Sequence, residues 1–324
     1  MSSNILYQVG NTPIVEINLK NEININLYAK LEFFNPTGSV KDRAAAYIIK
    51  KILDENIINK DTTLIESSSG NFGVSLSAYS RLYGLKFICV IDKNTTPLNE
   101  MLIKTQGAQI IKVTEQDKFG GYLLNRILKI KEILNSTPNI YWINQYENPL
   151  NAEAYYETLG NEICNGVLGN IDYIFLGVSS GGTITGVSQK VKERFPKVKV
   201  IAVDIFGSVI FGNTPQKRYI PGIGSSMVPN ILQRAIIDDV VWVSEIETAK
   251  SCKELLKEHN IFAGGSSGSV YAAIKKYFSK KEIREPLNVI CIFPDRGERY
   301  CTTIYDDCWC NEYLIDKERK TIND

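Results

Sequence analysis

The chain has 324 residues, and 37 Lys and Arg against 36 Asp and Glu give a formal net charge of only +1 at pH 7. This balance provides no excess positive field for binding nucleic acid or an anionic membrane, and no apolar run is long enough to span a bilayer. The first residues lack the basic start and apolar stretch of a signal peptide, and the seven scattered cysteines are typical of reduced thiols. We therefore expect a cytoplasmic protein of two packed lobes.

The chain begins with two antiparallel strands, predicted at residues 13–17 and 25–31 from alternating apolar and polar side chains. A loop rich in proline and glycine, residues 35–43, then leads into a helix. Ser39 can cap this helix, which places Lys41 in its first turn. The positive end of a helix dipole favours the neutral amine of a lysine, and the neutral amine is the form that attacks an aldehyde. The alternative is a solvated Lys41 paired with Asp42.

After this helix, strands and helices alternate along the chain. The strands are predicted at residues 63–66, 87–91, 109–113, 141–144, 173–178, 198–204, 240–243 and 287–293, and the helices at 74–79, 97–106, 121–134, 187–195 and 246–259. This alternation predicts an α/β fold in which each of two lobes has a mostly parallel twisted sheet flanked by helices.

Three polar glycine-rich loops, at residues 67–73, 179–183 and 264–268, each precede a helix. Glycines let backbone N–H groups converge on an anion, hydroxyls add donors, and a helix N-terminus adds positive charge. None of the loops has the spacing of a nucleotide triphosphate or dinucleotide fingerprint. Each could be an ordinary turn, but together with Lys41 they indicate a small phosphorylated cofactor, an anionic substrate group and a covalent lysine.

The sequence lacks the residues that other catalytic or metal-binding chemistries require. His259 is the only histidine, so triads that need an imidazole base beside a serine or a cysteine are not expected. The cluster of Cys301, Cys308 and Cys310 lacks a second ligand pair at zinc-site spacing. We therefore predict no metal site, and we interpret His259 as a residue at the end of a helix.

With these motifs the chain resembles, over nearly its whole length, the fold-type II pyridoxal-phosphate enzymes of the cysteine synthase and cystathionine β-synthase group, whose fold is that of the tryptophan synthase β-subunit. The resemblance implies a smaller lobe at residues 36–148, carrying Lys41 and the substrate carboxylate loop. Residues 1–35 and 149–324 would form the larger lobe, which binds the cofactor phosphate. It also implies a homodimer that acts on amino-acid substrates.

The resemblance also implies roles for individual residues. Lys41 would form the Schiff base with pyridoxal 5'-phosphate, Asn71 would contact the ring hydroxyl, and Ser266 would face the pyridine nitrogen. The phosphate cup would be formed by Ser179, Ser180, Gly181, Gly182 and Thr183. The substrate carboxylate would be bound by Ser68, Ser69, Asn71, the backbone of Phe72 and Gln145.

A neutral serine at the ring nitrogen favours loss of a β leaving group over a long-lived carbanion, so the implied reaction is β-replacement. Lys41 would remove the Cα proton, an aminoacrylate intermediate would form, and a second nucleophile would add at Cβ.

The substrates are left open by the sequence. Residues 120–126, 142–146, 207–212 and 294–300 are similar to synthases of the staphyloferrin B type, which join O-phospho-L-serine and L-glutamate in making the siderophore precursor 2,3-diaminopropionate. Arg126 would then bind the leaving phosphate and Tyr146 would line the pocket, unless they are a surface arginine and a strand aromatic. The Ser-Ser-Gly-Gly-Thr cup and the absence of an arginine at residues 222–227 favour instead a cysteine synthase using O-acetylserine or O-phosphoserine with sulfide. A pyridoxal-phosphate-binding partner protein without turnover is the third alternative.

Overall fold

The computed structural model describes residues 4–19, 24–117, 121–166 and 169–315. The strands in these residues are β1 (Ile14–Ile17), β2 (Ile25–Leu31), β3 (Thr63–Ser67), β4 (Lys86–Asp92), β5 (Gln109–Val113), β6 (Ile140–Trp142), β7 (Tyr173–Gly177), β8 (Lys199–Ile205), β9 (Asp239–Val243) and β10 (Leu287–Phe293). The helices are α1 (Lys41–Asp54), α2 (Asn71–Leu82), α3 (Pro97–Thr105), α4 (Leu123–Ser136), α5 (Pro149–Tyr155), α6 (Asn161–Gly166), α7 (Gly182–Arg194), α8 (Glu245–His259), α9 (Gly265–Phe278) and α10 (Asp307–Cys310).

The strands form two sheets. The six-stranded sheet has the order β1-β2-β10-β7-β8-β9, in which β1 is antiparallel to β2 and the other pairs are parallel. The four-stranded sheet, β5-β4-β3-β6, is parallel throughout. The predicted α/β class with two mostly parallel, helix-flanked sheets is confirmed. The division into lobes at residues 36–148 stays a prediction, and the four-stranded sheet lies within that range.

The central strands are apolar without alternation because helices cover both of their faces. In β10, for example, Val289, Ile290 and Cys291 are all fully buried. The largest apolar cluster runs from α1, with Ile48, to the six-stranded sheet, with Ile174. The two sheets therefore share a continuous core, which holds the lysine helix in place between them.

Several helices begin earlier than the sequence predicts. The loops predicted at 67–73, 179–183 and 264–268 contain the first turns of α2, α7 and α9. Serine and glycine have low helix propensity in helix interiors but are common in the first turn, where backbone N–H groups have no helical partner. A prediction from apolar periodicity therefore misses these first turns. Helices α5 and α6 are absent from the prediction. His259 is the last residue of α8, as predicted.

The candidate site residues follow the carboxyl ends of three parallel strands. Strand β3 ends at Ser67, β7 ends at Gly177, and β10 ends at Phe293. Ligands of open parallel sheets bind at this edge, where loops connect strands to helices. Across the described ranges, no helix has both the length and the apolar character needed to cross a membrane.

Candidate active site

Lys41 is the first residue of α1, and it is half-buried. The N–H of Val40 donates to the carbonyl of Pro294 at 2.8 Å, which attaches the lysine loop to the end of β10. Burial lowers the pKa of Lys41 from 10.5 to about 8, and the charge of Asp295 limits that fall. The structure does not support the alternative of a solvated Lys41 paired with Asp42, because the Asp42 carboxylate is bound by Thr37 and Ser75. An amine with this pKa has a substantial neutral fraction near neutral pH, as a nucleophile requires.

The neighbours of Lys41 hold the loop. Asp42 accepts hydrogen bonds from the backbone and hydroxyl of Thr37 and, at 2.6 Å, from the hydroxyl of Ser75. The predicted cap is shifted by one residue, because Val40 occupies the N-cap position. The hydroxyl of Ser39 still accepts the N–H of Lys41 at 3.3 Å. The backbone of Lys41 is thus fixed by hydrogen bonds on both sides.

The segment 179–183 forms the N-terminus of α7. Gly181 has φ of +85°, a conformation that favours glycine, and it is the N-cap residue. Ser180 is buried, and among the described residues its Oγ has no hydrogen-bond partner. The Oγ of Ser179 donates to the carbonyl of Gly224 at 3.2 Å. Backbone N–H groups and a free buried hydroxyl at a helix N-terminus suit a phosphate.

Tyr155 connects this helix N-terminus to the lysine. It lies on α5 and is fully buried. The Nζ of Lys41 is 5.9 Å from the centre of the Tyr155 ring, and the Tyr155 hydroxyl lies beside Thr183. Tyr155 therefore lies close to both Lys41 and the predicted phosphate cup, a link that the sequence reasoning missed because α5 was not predicted.

Asn71 and the N-terminus of α9 meet at Asp295. The Nδ2 of Asn71 donates to the Oδ2 of Asp295 at 2.7 Å, and the N–H of Gly264 donates to the Asp295 carbonyl at 2.9 Å. Ser266 is buried in the first turn of α9 and packs beside Gly177 at the end of β7. Asp295 lies directly after a buried strand, so its position at the binding edge was the signal that could have identified it.

These residues fit pyridoxal phosphate. The buried Oδ1 of Asn71 and Oγ of Ser180 have no partner within the described part of the chain, and burying such atoms is costly unless a ligand satisfies them. The N-terminus of α7 would hold the phosphate, Asn71 the ring hydroxyl, Ser266 the ring nitrogen and Lys41 the aldehyde carbon. Bound there, the cofactor withdraws electrons from an amino-acid substrate.

The predicted carboxylate loop follows β3. The hydroxyl of Ser68 accepts the N–H of Gly73 at 2.9 Å, and the carbonyl of Ser69 accepts a hydrogen bond from Asn99. The side chain of Phe72 lies in the apolar core, so only its backbone faces the loop. The Nε2 of Gln145 donates to the Ser67 carbonyl at 3.0 Å, which holds the end of β3. The serine hydroxyls at the start of α2 thus remain able to donate to an anion.

Arg126 is a buried cation rather than a surface arginine. Its side chain is 9% exposed, and its Nη1 is 3.4 Å from the carboxylate of Asp92. Nε and Nη1 make no hydrogen bond within the described residues. The charge of Arg126 also acts on Glu66, whose pKa burial raises from 4.5 to about 7.

A second arginine, Arg218, acts together with Arg126 on Tyr146. It is half-buried in the segment between β8 and β9, where its Nη2 donates to the hydroxyl of Ser226 at 3.1 Å. Its Nη1 has no hydrogen-bond partner among the described residues and rests against Gly224, which binds Ser179. Burial raises the pKa of the Tyr146 phenol, while Arg126 and Arg218 both lower it. Two incompletely paired cations, one beside each sheet, therefore act on Tyr146.

The remaining sequence predictions concern cysteines and metals. All seven cysteines are free, and Cys301 and Cys308 are exposed rather than buried. Over the described ranges, no cluster of three or more His, Cys, Asp or Glu side chains could hold a metal ion.

Comparison with known proteins gives one family and several similar structures. Residues 5–295 match the family described as pyridoxal-phosphate dependent enzyme. The O-acetylserine dependent cystathionine beta-synthase from Helicobacter pylori is 31% identical, with a TM-score of 0.87 over 94% of this chain and 99% of that chain. An O-ureido-L-serine synthase is 28% identical, with a TM-score of 0.86 over 95% and 96% of the two chains. A hydrogen sulfide-producing enzyme from Fusobacterium nucleatum is 27% identical, with a TM-score of 0.85 over 93% and 100%.

Proposed function

Because the chain belongs to the family of pyridoxal-phosphate-dependent enzymes, we propose that it catalyses β-replacement on an activated L-serine. The first substrate is O-phospho-L-serine, and the nucleophile is an amino acid such as L-glutamate. The product would be a precursor of 2,3-diaminopropionate, as in the staphyloferrin B synthases that the sequence resembles. The similar solved structures include an O-acetylserine-dependent synthase and an O-ureido-L-serine synthase, which supports an activated serine as substrate.

The residues around the cofactor site have matching roles in this reaction. The hydroxyls and N–H groups at the start of α2 bind the substrate carboxylate, which orients the Cα–H bond toward Lys41. With a pKa of about 8, the Lys41 amine can accept the Cα proton and return it later. The apolar cluster behind Phe72 keeps water from the buried face of the loop.

The observation that carries the choice of substrate is the pair of incompletely paired cations at Tyr146. Buried guanidinium nitrogens that make no hydrogen bond are costly, and an anionic substrate group would satisfy them. In this proposal Arg126 binds the leaving phosphate. Arg218, beside the loop of Gly224, binds a carboxylate of the nucleophile. The acetyl ester of O-acetylserine is uncharged before it leaves, and hydrosulfide has no carboxylate, so that pair would make less use of the two cations.

Steady-state assays of two variants on one helix test this proposal. Arg126→Met should lower kcat/KM for O-phospho-L-serine by about 10- to 100-fold, because a charge-assisted hydrogen bond to a buried group is lost. The same variant should change kcat/KM for O-acetyl-L-serine by less than about threefold. Lys129→Met is the matched control, since Lys129 is a half-exposed residue of α4 paired with Glu132. Equal losses with both serine esters would contradict a phosphate-binding role.

The nucleophile is tested separately. We expect Arg218→Met to raise KM for L-glutamate while leaving the release of phosphate from O-phospho-L-serine in a single turnover unchanged. If wild-type protein loaded with O-phospho-L-serine is discharged by sulfide and ignores L-glutamate, the amino-acid nucleophile is wrong.

The second candidate is a cysteine synthase using O-acetyl-L-serine or O-phospho-L-serine with sulfide. The Ser-Ser-Gly-Gly-Thr segment at 179–183 and the similarity to an O-acetylserine-dependent synthase favour it. A protein without turnover is not carried forward, since the matched family is one of enzymes.

The compartment and the assembly are also part of the proposal. Seven free cysteines support a reducing compartment, which we take to be the cytoplasm. We propose a homodimer, and light scattering of the cofactor-loaded protein would measure its mass directly.

A further inference from the structure

Asp295 is a buried carboxylate to which the sequence assigns no role. It follows β10, is 1% exposed, and lies at the meeting point of three segments of the site. Its backbone forms a bridge with Ser39 of the lysine loop and accepts the N–H of Gly264. Gly264 has no side chain, and a Cβ added there would lie only 2.0 Å from Oδ1 of Asp295, which is closer than such atoms can approach. The carboxylate therefore has a single, tightly enclosed position.

The hydrogen bonds of this carboxylate determine the orientation of Asn71. Its Oδ2 accepts from Nδ2 of Asn71 at 2.7 Å and from the hydroxyl of Tyr300 at 2.8 Å. An ionised carboxylate only accepts hydrogen bonds, so the amide nitrogen of Asn71 must face it. The buried Oδ1 of Asn71, which has no partner in the described residues, then points away from Asp295. Asp295 thus selects which edge of the amide faces the cavity.

Asp295 also sets the charge around Lys41. Burial raises the pKa of Asp295, while the hydrogen bond from Asn71, the charge of Arg299, the hydrogen bond from Tyr300 and the charge of Lys41 lower it. In return the Asp295 charge raises the pKa of Lys41 against the effect of burial. The groups that face this carboxylate are Lys41, Asn71, Cys252, Arg299, Tyr300 and Tyr305.

We propose that Asp295 is a positioning residue of the cofactor site, which turns the Asn71 amide toward the cofactor ring and places a negative charge beside the lysine loop. This rests on the proposed roles of Lys41 and Asn71. The Tyr300 hydroxyl supports it by donating to the same carboxylate oxygen as Asn71, which helps to hold the carboxylate in place.

The test uses Asp295→Asn, which keeps the shape and removes the charge. In protein freed of cofactor, the rate at which added pyridoxal phosphate reacts with Lys41 follows the neutral amine. Loss of the Asp295 charge should lower the pH midpoint of that rate by about one unit. At pH 7 the reaction should then be about fivefold faster than in wild type. Affinity for pyridoxal phosphate should fall roughly three- to tenfold, because the Asn71 amide is no longer oriented.

Asp204→Asn is the matched control. Asp204 is an equally buried carboxylate at the end of β8, and it is not among the groups that shift Lys41. It should leave the pH midpoint unchanged. The ionisation of the probe is common to all variants, so differences in midpoint belong to the protein.

Tyr300→Phe is a second variant that tests the same proposal if Asp295→Asn does not fold. Without the Tyr300 donor the carboxylate is more readily protonated, so the midpoint should shift in the same direction by a smaller amount. Midpoints equal to wild type in the folded variants would overturn the role of Asp295. If instead Lys41→Ala still reacts with pyridoxal phosphate and forms the visible absorbance band, the assignment of Lys41 fails, and Asp295 is not at fault.

Discussion

Replacing Arg43 by methionine should destabilise the protein by several kilocalories per mole. Arg43 lies on α1 and is 1% exposed, and two carboxylates bind its guanidinium. Its Nε and Nη2 donate to Glu32 at 2.6 and 2.8 Å, and Nη1 and Nη2 donate to Glu162 at 2.6 and 2.7 Å. These bonds attach the lysine helix to the end of β2 and to α6.

Most of the expected loss of stability comes from Glu32, which would remain buried without a cationic partner. Without Arg43, Glu162 keeps the ammonium of Lys30 at 2.7 Å, but Glu32 keeps only the neutral donors Thr12 and Asn35. Removing one partner of a buried ion pair costs about 3–5 kcal/mol, a large share of a typical stability of about 5–15 kcal/mol. The double variant Arg43→Met with Glu32→Gln should recover part of the loss, because no unpaired charge remains at Glu32.

Denaturant unfolding followed by tryptophan fluorescence and circular dichroism measures both variants. A loss below about 1 kcal/mol for Arg43→Met, or no recovery in the double variant, would refute the reasoning. The pH dependence gives a further check. Although burial acts to raise it, the bonds from Arg43 and Lys30 hold the pKa of Glu162 at about 2, against 4.5 in its ordinary state. Its stabilising contribution is therefore present above pH 4.5 and is lost as the pH falls toward 2. Arg43→Met should weaken this acid dependence.

Three further outcomes are expected. Lys41→Ala should abolish both turnover and the visible absorbance of bound cofactor in a protein of normal stability, and retained turnover would contradict the covalent role of the lysine. Gly186→Ala should lower the midpoint of thermal unfolding by several degrees, because the added Cβ would lie 2.1 Å from a backbone oxygen of α5. Gly70→Ala is the control and should change the midpoint little, because the space around a Cβ at Gly70 is open. A thiol reagent should modify the exposed Cys301 and Cys308 in the native protein. The cysteines of β4, α8 and β10 should react only after unfolding, because they are buried and burial raises the pKa of their thiols. Rapid labelling of all seven cysteines in the native protein would contradict this packing.

Much of the fold was readable from local patterns. Strands such as β5 and β10 have the predicted ends because a short apolar run bounded by polar residues has few other structures available in a large chain. The helix at Lys41 followed from the proline, glycine and serine before it. Helices α5 and α6 were missed, since their faces are defined by packing on α1 and α7 rather than by a strong period of their own.

The surroundings of the candidate site depended on distant segments. Arg126 on α4 is buried where it contacts Asp92 at the end of β4, and the sequence of its own helix gives no sign of this. Arg218 acts on Tyr146 only because the segment after β8 folds back over the start of α7. No spacing in the sequence indicates either approach.

Lys41 and the polar starts of α2, α7 and α9 were determined by the sequence itself, because helix initiation depends on residues within a few positions of one another. The state of Lys41 was decided only by the tertiary structure. Its pKa depends on burial and on Asp295, which is more than 250 positions away along the chain and joins it only when the end of β10 meets the lysine loop. The residues next to Lys41 in the sequence identify it as the reactive group, whereas its protonation and its partners depend on packing between distant segments.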